Sequence, residues 1–435
     1  MVRGTRLIDR LAGAVAHIFY RIDRIGTIPP GPVILLPNHP NALLDPALVM
    51  ATAGRPVRFL AKSTLFRGPL APLVRAAGAI PVYRRQDGAA AGRNAETFAA
   101  VDAALSRGEA ICVFPEGTSH SSGMLEPLRT GAARMALSSF ASGVGVQLVA
   151  VGINLERKTI FRSRAAVAYG RPFTVRPAAA GPGTLHAPEN VTSLTNEIAR
   201  HMRALLVEAD PRADAALVDR VDRLYKAERP QAATPEEALA RRKAIARAMH
   251  RLREERPEWY ESALVQLRRY DDRLQRFGLR DTALDWEVTP RAAWAFIARE
   301  APRAVLLVPI AAAATVVFAA PYLLTAAAAE VVSERDVTAT AKVIGGVVIY
   351  GSWILLLSAI VWGNGGLLPA VLVLALLPAF AACGLFALER EAAAWRTARS
   401  WLSLRGARIT TRGGLKRRRA ELAGVLDQIN EWMRR

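Results

Sequence analysis

The stretch Val33–Ala53, VILLPNHPNALLDPALVMATA, decides how this chain folds. It opens on an unbroken apolar run, Val33–Pro37, turns at Asn38-His39, and continues as a helical segment over Pro46–Ala53. A short, wholly apolar run that hands over to a helix is the mark of a strand covered on both faces. Working outward, the alternation repeats. Strands are expected at Val57–Lys62, at Ala79–Tyr83 after a break at Gly78, at Ala110–Phe114, at Val146–Asn154 and at Ala165–Tyr169. Helices are expected at Pro69–Ala77, Asn94–Ser106 and Thr130–Ser139. The fold class is therefore α/β, a mostly parallel sheet flanked by helices, over residues 31–185. In such sheets ligands collect where strands end and loops begin.

On the amino-terminal side, residues 1–30 read as an amphipathic helix. Leu7, Leu11, Val15, Ile18 and Ile22 share one face, while Arg6, Arg10, Arg21 and Arg24 occupy much of the rest. Such a helix either lies in a membrane interface or packs on the next domain. The apolar stretch Leu11–Tyr20 is interrupted by His17 and has no small-residue cleavage site after it, so it does not read as a signal peptide.

On the carboxyl-terminal side, residues 186–303 read as a solvated helical arm, with long charged helices at Pro235–Glu255 and Glu258–Phe277. Residues 304–388 hold three apolar runs: Ala304–Ala329, Val343–Trp362 and Leu367–Leu388. Each approaches or exceeds the roughly 18–20 residues that span hydrocarbon. Pro309 and Pro321 are positioned to break the first. Residues 389–435 form a basic tail. The 435 residues carry a net charge of +20, divided as +14 over 1–303, −1 over 304–388 and +7 over 389–435. Basic flanks around apolar runs suit anionic headgroups, and they place the front of the chain on the cytoplasmic side. Basic ends on one side require an even number of crossings, and three runs are present. Two cysteines, Cys112 and Cys383, are too few for a disulfide framework or a Cys-rich zinc module.

Three short blocks at strand ends carry chemistry. His39 follows the first strand and Asp45 lies six positions on; a carboxylate on one ring nitrogen leaves the other free to take a proton. Phe114-Pro115-Glu116-Gly117-Thr118-Ser119 offers a carboxylate, hydroxyls and a glycine that permits close backbone approach. Gly78 to Arg84 ends on an arginine suited to bidentate phosphate contact. In this order the blocks resemble the glycerolipid acyltransferase superfamily, over about residues 30–180. The form Asn-His-Pro-Asn-Ala-Leu-Leu-Asp-Pro is similar to that of fungal-type glycerol-3-phosphate/dihydroxyacetone-phosphate acyltransferases and their bacterial relatives. Two features depart from the family pattern. Five residues rather than four separate His39 from Asp45, and Ala150-Val151 stand where the later apolar block, Leu148–Leu155, commonly has proline.

The resemblance implies a membrane-bound O-acyltransferase that moves a fatty acyl group from a thioester to a hydroxyl. His39 would take the hydroxyl proton and Asp45 would orient it. Arg84 and the backbone at Gly117 would receive the acceptor's phosphate, with Gly78 and Thr118 in the binding blocks. Glu116 would orient the acceptor or brace Arg84. Lys62 and Arg129 could add positive charge. No cofactor or metal is implied, and acyl-CoA or an acyl carrier protein would be the co-substrate. The partners implied are membrane lipids, a glycerol-phosphate or lysophospholipid acceptor and the thioester donor. Two readings from other classes compete. A membrane-tethered nucleic-acid binder needs aromatic stacking positions among its basic residues or a reading motif, and the chain shows neither, so no nucleic-acid partner is expected. An inactive membrane scaffold draws support only from the His–Asp spacing.

Overall fold

The computed structural model describes residues 3–42, 44–67, 71–83, 94–120, 122–176, 184–209, 214–230, 232–286, 289–330, 338–406 and 409–434. In chain order the sheet region holds α1 (Arg3–Phe19), β1 (Tyr20–Ile25), β2 (Val33–Pro37), α2 (Leu44–Thr52), β3 (Val57–Lys62), α3 (Ala71–Ala76), β4 (Ile80–Val82), α4 (Asn94–Ser106), β5 (Ala110–Cys112), α5 (Gly131–Ala141), β6 (Gln147–Leu155), β7 (Ser163–Tyr169) and β8 (Phe173–Thr174). The strands lie in the order β1-β7-β6-β2-β5-β3-β4, with β8 paired to β6. β6, β2, β5, β3 and β4 run parallel to one another, β7 and β8 are antiparallel to β6, and β1 is parallel to β7.

The sheet is buried on both faces, as its apolar runs require. Ile34, Leu36, Ile111 and Leu148 pack with Leu105, Leu137, Ile198 and Met202 in one core. Val33 and Leu35 point the other way and are equally buried. Ile198 and Met202 come from α6 (Pro188–Arg203), whose Val191, Leu194, Ile198 and Met202 form one helical face. The helices covering the sheet thus extend past residue 185, into what the sequence suggests is a solvated arm. The expected helix over 1–30 also ends early. At Tyr20 the chain becomes a strand, because residues 20–25 gain a parallel partner in Ser163–Ala168. The face α1 buries differs from its apolar stripe. Gly13, Ala16 and Phe19 turn inward, Gly13 approaching Ala51 of α2, while Leu11 and Ile18 are exposed.

Four helices follow α6 before the last three: α7 (Asp214–Glu228), α8 (Pro235–Glu255), α9 (Pro257–Arg276) and the long α10 (Pro290–Glu330). α11 (Thr338–Gly365), α12 (Leu367–Gly406) and α13 (Ile409–Arg434) complete the chain. The chain divides into two compact units within α7 and α8: a sheet unit, mainly residues 1–219 with 233–247, and a helical unit holding most of the remainder. The basic tail is ordered as the end of α12 and as α13, which packs on α9 around a buried Arg419 bound to Glu228 and Asp285.

Three helices, over Pro290–Ala328, Gly345–Gly365 and Leu367–Arg405, are long and apolar enough to cross a membrane, and they mark the chain as a membrane protein. Pro309 and Pro321 do not break the first; α10 runs through both. Pro321 has no N–H for the Val317 carbonyl one turn back, and the Trp353 indole N–H of α11 donates to that carbonyl at 3.0 Å. α10 and α12 pair closely and antiparallel. Glu300 meets Arg390 at 2.6 Å, Ala314 faces Gly384, and Phe318 lies beside Phe380. Their charged ends therefore lie together.

Candidate active site

The carboxyl ends of β2 and β5 build the site. β2 stops at Pro37, and Asn38 then continues its pairing with β6 through a side chain. Asn38 Oδ1 accepts the Ile153 N–H at 2.7 Å, and its Nδ2 donates to the Ile153 carbonyl at 3.1 Å. This fixes the direction in which His39 leaves the sheet.

His39 Nδ1 lies 2.8 Å from Asp45 Oδ2, at the first turn of α2. The Asp45 side chain has no exposed surface, whereas the His39 side chain keeps 17% of its own. Nδ1 is thus spent on the carboxylate, and Nε2 lies on the opposite edge of the ring. Phe114 stacks on that ring with centroids 4.0 Å apart. The five-residue spacing closes because the intervening turn is tight. The Asn41 N–H donates to the same Asp45 Oδ2 at 2.6 Å, and Ala42 adopts φ 38°, a left-handed conformation that takes up the extra residue. Asn41 is held in turn by Tyr20 of β1, whose hydroxyl accepts from Asn41 Nδ2 at 2.8 Å.

Burial holds the Asp45 carboxyl above the usual carboxylate range, and the His39 hydrogen bond only partly opposes it. Asp45 Oδ1 is buried with no hydrogen-bond partner among the described residues. Cys112, at the end of β5, is fully buried, and its thiol is pushed well up by that burial and by the Asp45 charge. A thiol held protonated there is a poor nucleophile, which leaves His39 as the partly exposed member of the group.

The second block does something other than line a substrate cleft. The Glu116 side chain has no exposed surface. Its Oε1 accepts the His39 N–H at 2.7 Å, and its Oε2 accepts the Glu126 N–H at 3.0 Å and bonds His120 Nε2. Gly117 sits at φ 77°, and a Cβ there would press on Arg129 Cγ at 3.1 Å, so the glycine both makes the turn and lets Arg129 lie over it. Thr118 is exposed at the same turn.

Gly78 is not brought to this place. It sits at the amino end of β4, the third strand along from β2, at φ 67°, closing the turn after α3, and its carbonyl accepts from Arg58 at 2.8 Å. Arg84 lies outside the described residues. Asn38, Asn41, Tyr20 and His120 belong to the site without having been singled out in the sequence. Asn38 and Asn41 flank the histidine in the quoted block, and His120 stands four places after Glu116. Tyr20 had no local signal.

A profile of the Acyltransferase family matches residues 21–154, which span β1 to β6 and hold His39, Asp45 and Glu116. An uncharacterized acyltransferase of Schizosaccharomyces pombe is 29% identical over 184 residues, 41% of this chain and 26% of its own length. Glycerol-3-phosphate O-acyltransferase 2 of Saccharomyces cerevisiae is 38% identical over 84 residues, 19% of this chain and 11% of the relative. Glycerol-3-phosphate O-acyltransferase 1 of the same yeast is 32% identical over 127 residues, 28% and 16% respectively. The chain spans about a quarter or less of the length of these relatives. Among solved structures, the 1-acyl-sn-glycerophosphate (LPA) acyltransferase from Thermotoga maritima matches with a TM-score of 0.32 and 16% identity, over 45% of this chain and 77% of that one. Residues 21–154 form an acyltransferase domain of the glycerolipid acyltransferase superfamily.

Proposed function

We propose that this chain is a membrane-bound O-acyltransferase of glycerophospholipid synthesis, acting on a hydroxyl of glycerol 3-phosphate or of a lysophospholipid. The observation that carries this reading is the pair His39–Asp45, 2.8 Å apart, with the carboxylate buried and the ring partly open. His39 Nε2 removes the proton of the acceptor hydroxyl as its oxygen attacks the thioester carbonyl. The carbon–sulfur bond then breaks, and the imidazolium returns its proton to the departing thiolate. Asp45 fixes the tautomer and stabilises the imidazolium during the step. Arg129 over Gly117 and Lys62 at the end of β3 add positive charge on the side where the parallel strands end, which suits a phosphorylated acceptor. Arg84 is the further candidate for that phosphate. Two relatives are named for glycerol 3-phosphate. The donor is acyl-CoA or an acylated carrier protein.

The membrane orientation belongs to the same proposal. The antiparallel pairing of α10 and α12 supports two crossings in opposite directions, with the charged residues near Glu300 and Arg390 both on the cytoplasmic side. α11 packs on α10 through Trp353 on Val317 and Tyr350 on Phe318, and the proposal takes α10 and α12 as the two crossings that the basic flanks require.

The decisive test is full-length protein in lipid nanodiscs, assayed for thiol release against a panel of glycerol 3-phosphate, dihydroxyacetone phosphate and lysophospholipids. Acceptor-dependent release that is lost in His39→Ala is expected; equal release from the variant removes the reading. Single cysteines at Trp294→Cys and Trp395→Cys should label from the same side of sealed vesicles, and labelling from opposite sides overturns the two-crossing arrangement.

A further inference from the structure

We propose that His120 is a positioning residue: with Glu116 it forms a buried clamp that grips residue 39 on both sides and so sets the direction of the His39 imidazole. The proposal rests on the acyl-transfer reading and deepens it, since it gives Glu116 a task other than touching the acceptor.

The clamp has two jaws. Glu116 Oε1 accepts the His39 N–H at 2.7 Å. The backbone N–H of His120 donates to the His39 carbonyl at 3.1 Å. The His120 ring closes the clamp by bonding Glu116 Oε2 through Nε2. The peptide groups on either side of the catalytic residue are therefore held by one turn leaving β5. Asp45 governs the rotation and tautomer of the His39 ring, and the clamp governs the backbone from which that ring hangs.

A carboxylate without exposed surface needs a positive partner, and among the described residues the one paired with Glu116 is His120. On the other edge of the ring, the Ser122 N–H and hydroxyl lie 3.4 and 2.7 Å from His120 Nδ1 and hold the ring against Glu116. Nε2 gives its proton to the carboxylate, and a positively charged ring is the form that Glu116 favours. Burial opposes that charge and so does Lys158, but Glu116 and, to a lesser degree, Glu126 outweigh them and raise the His120 pKa above the ordinary histidine value. The His39–Asp45 pair is the remaining ionisable neighbour, held across the His120-to-His39 backbone bond.

Reaction geometry is sensitive to this kind of hold, since displacement of a reacting group by about 1 Å costs on the order of 100-fold in rate. The test uses full-length protein in nanodiscs. His120→Ala is expected to lower kcat by about 10- to 100-fold, with the KM values of acceptor and donor within about twofold of the parent. His120→Gln keeps an N–H for Glu116 and removes the charge. It should recover most of kcat and abolish the decline that the parent shows as pH rises and His120 loses its proton. An unchanged kcat in His120→Ala, or a basic limb that survives in His120→Gln, overturns the proposal. Because His120→Ala can also fail to fold, histidine-selective ¹⁵N NMR supplies a readout independent of turnover. His120 should give an imidazolium signature at pH 7.5 that disappears in Glu116→Gln, and a neutral His120 in the parent overturns the clamp. If no acceptor supports transfer, the acyltransferase reading falls, and the NMR result alone decides the clamp.

Discussion

In the sheet unit, Ile34, Leu35 and Leu36 are wholly enclosed by protein, whereas in the helical unit Val305, Val316 and Leu368 leave 77%, 78% and 72% of their surfaces uncovered. The residue types are the same and their destinations are opposite. Runs of about five apolar residues satisfy their backbone only by pairing with other strands, so they bring their side chains into a shared core. Runs of twenty or more satisfy their backbone within one helix and can turn their side chains to lipid. The two units also differ in what polar groups do. In the helical unit the pairs Glu300–Arg390 and Arg419–Glu228 join helices. In the sheet unit the buried polar groups, Asn38, Asn41, Asp45 and Glu116, converge on the partly exposed His39.

That contrast can be broken or sharpened by substitution. The largest effect is expected from His39→Ala, which should cut acyl transfer by about 1,000-fold or more while the thermal midpoint and membrane insertion stay near parent values. Retention of near-parent turnover would show that the converging polar groups serve structure alone.

Asp45→Asn comes next, with a loss of at least about 100-fold in kcat. Its stability should move the other way. Burial raises the Asp45 pKa in the folded state, so its contribution to stability is greatest below about pH 4 and is lost as pH rises through the folded value. Asparagine escapes that loss. Melting curves between pH 4 and 7 should show a variant at least as stable as the parent at neutral pH and less dependent on pH. A variant that melts well below the parent at pH 7 contradicts this account.

Two glycines then compare the units directly. A Cβ at Gly152 would come within 2.7 Å of Leu205, and one at Gly384 within 2.2 Å of the Ala314 Cβ. Gly152→Ala and Gly384→Ala should each cost about 1–3 kcal/mol through overpacking, measured in detergent. β6 holds Asn38 through Ile153, so the first substitution should also lower kcat of the folded enzyme, and the second should not. Equal effects on kcat would mean the units are not separable in function. The smallest effect is expected from Ala42→Gly. It relieves a left-handed φ, gains at most about 1 kcal/mol, and should leave kcat within about twofold if the turn geometry is already set by Asn41 and Asp45.

Much of this was readable in the chain. Val33–Pro37 and Val57–Lys62 became strands with the expected bounds, because a strand buried on both faces needs no polar alternation to announce it. Asn94–Ser106 and Pro235–Glu255 likewise became helices as expected. The His39–Asp45 pair stood in the quoted stretch, since the turn that joins them is local. Tyr20–Ile25 was not legible, because its strand state depends on a partner about 140 residues away. The face that α1 packs on α2 was not legible for a related reason. Helix periodicity locates an apolar stripe, but Gly13 and Ala16 allow a closer approach to α2 than the larger residues of that stripe.

The sequence by itself determined the alternating strands and helices, the three apolar helices, the asymmetric charge and the pairing of His39 with Asp45. All of these rest on local pattern and residue type. Only the tertiary structure decided that Glu116 meets the His39 N–H rather than open space, and that α10 and α12 run in opposite directions. Those outcomes depend on contacts between segments far apart in the chain, where geometry and burial, not spacing, select the partner.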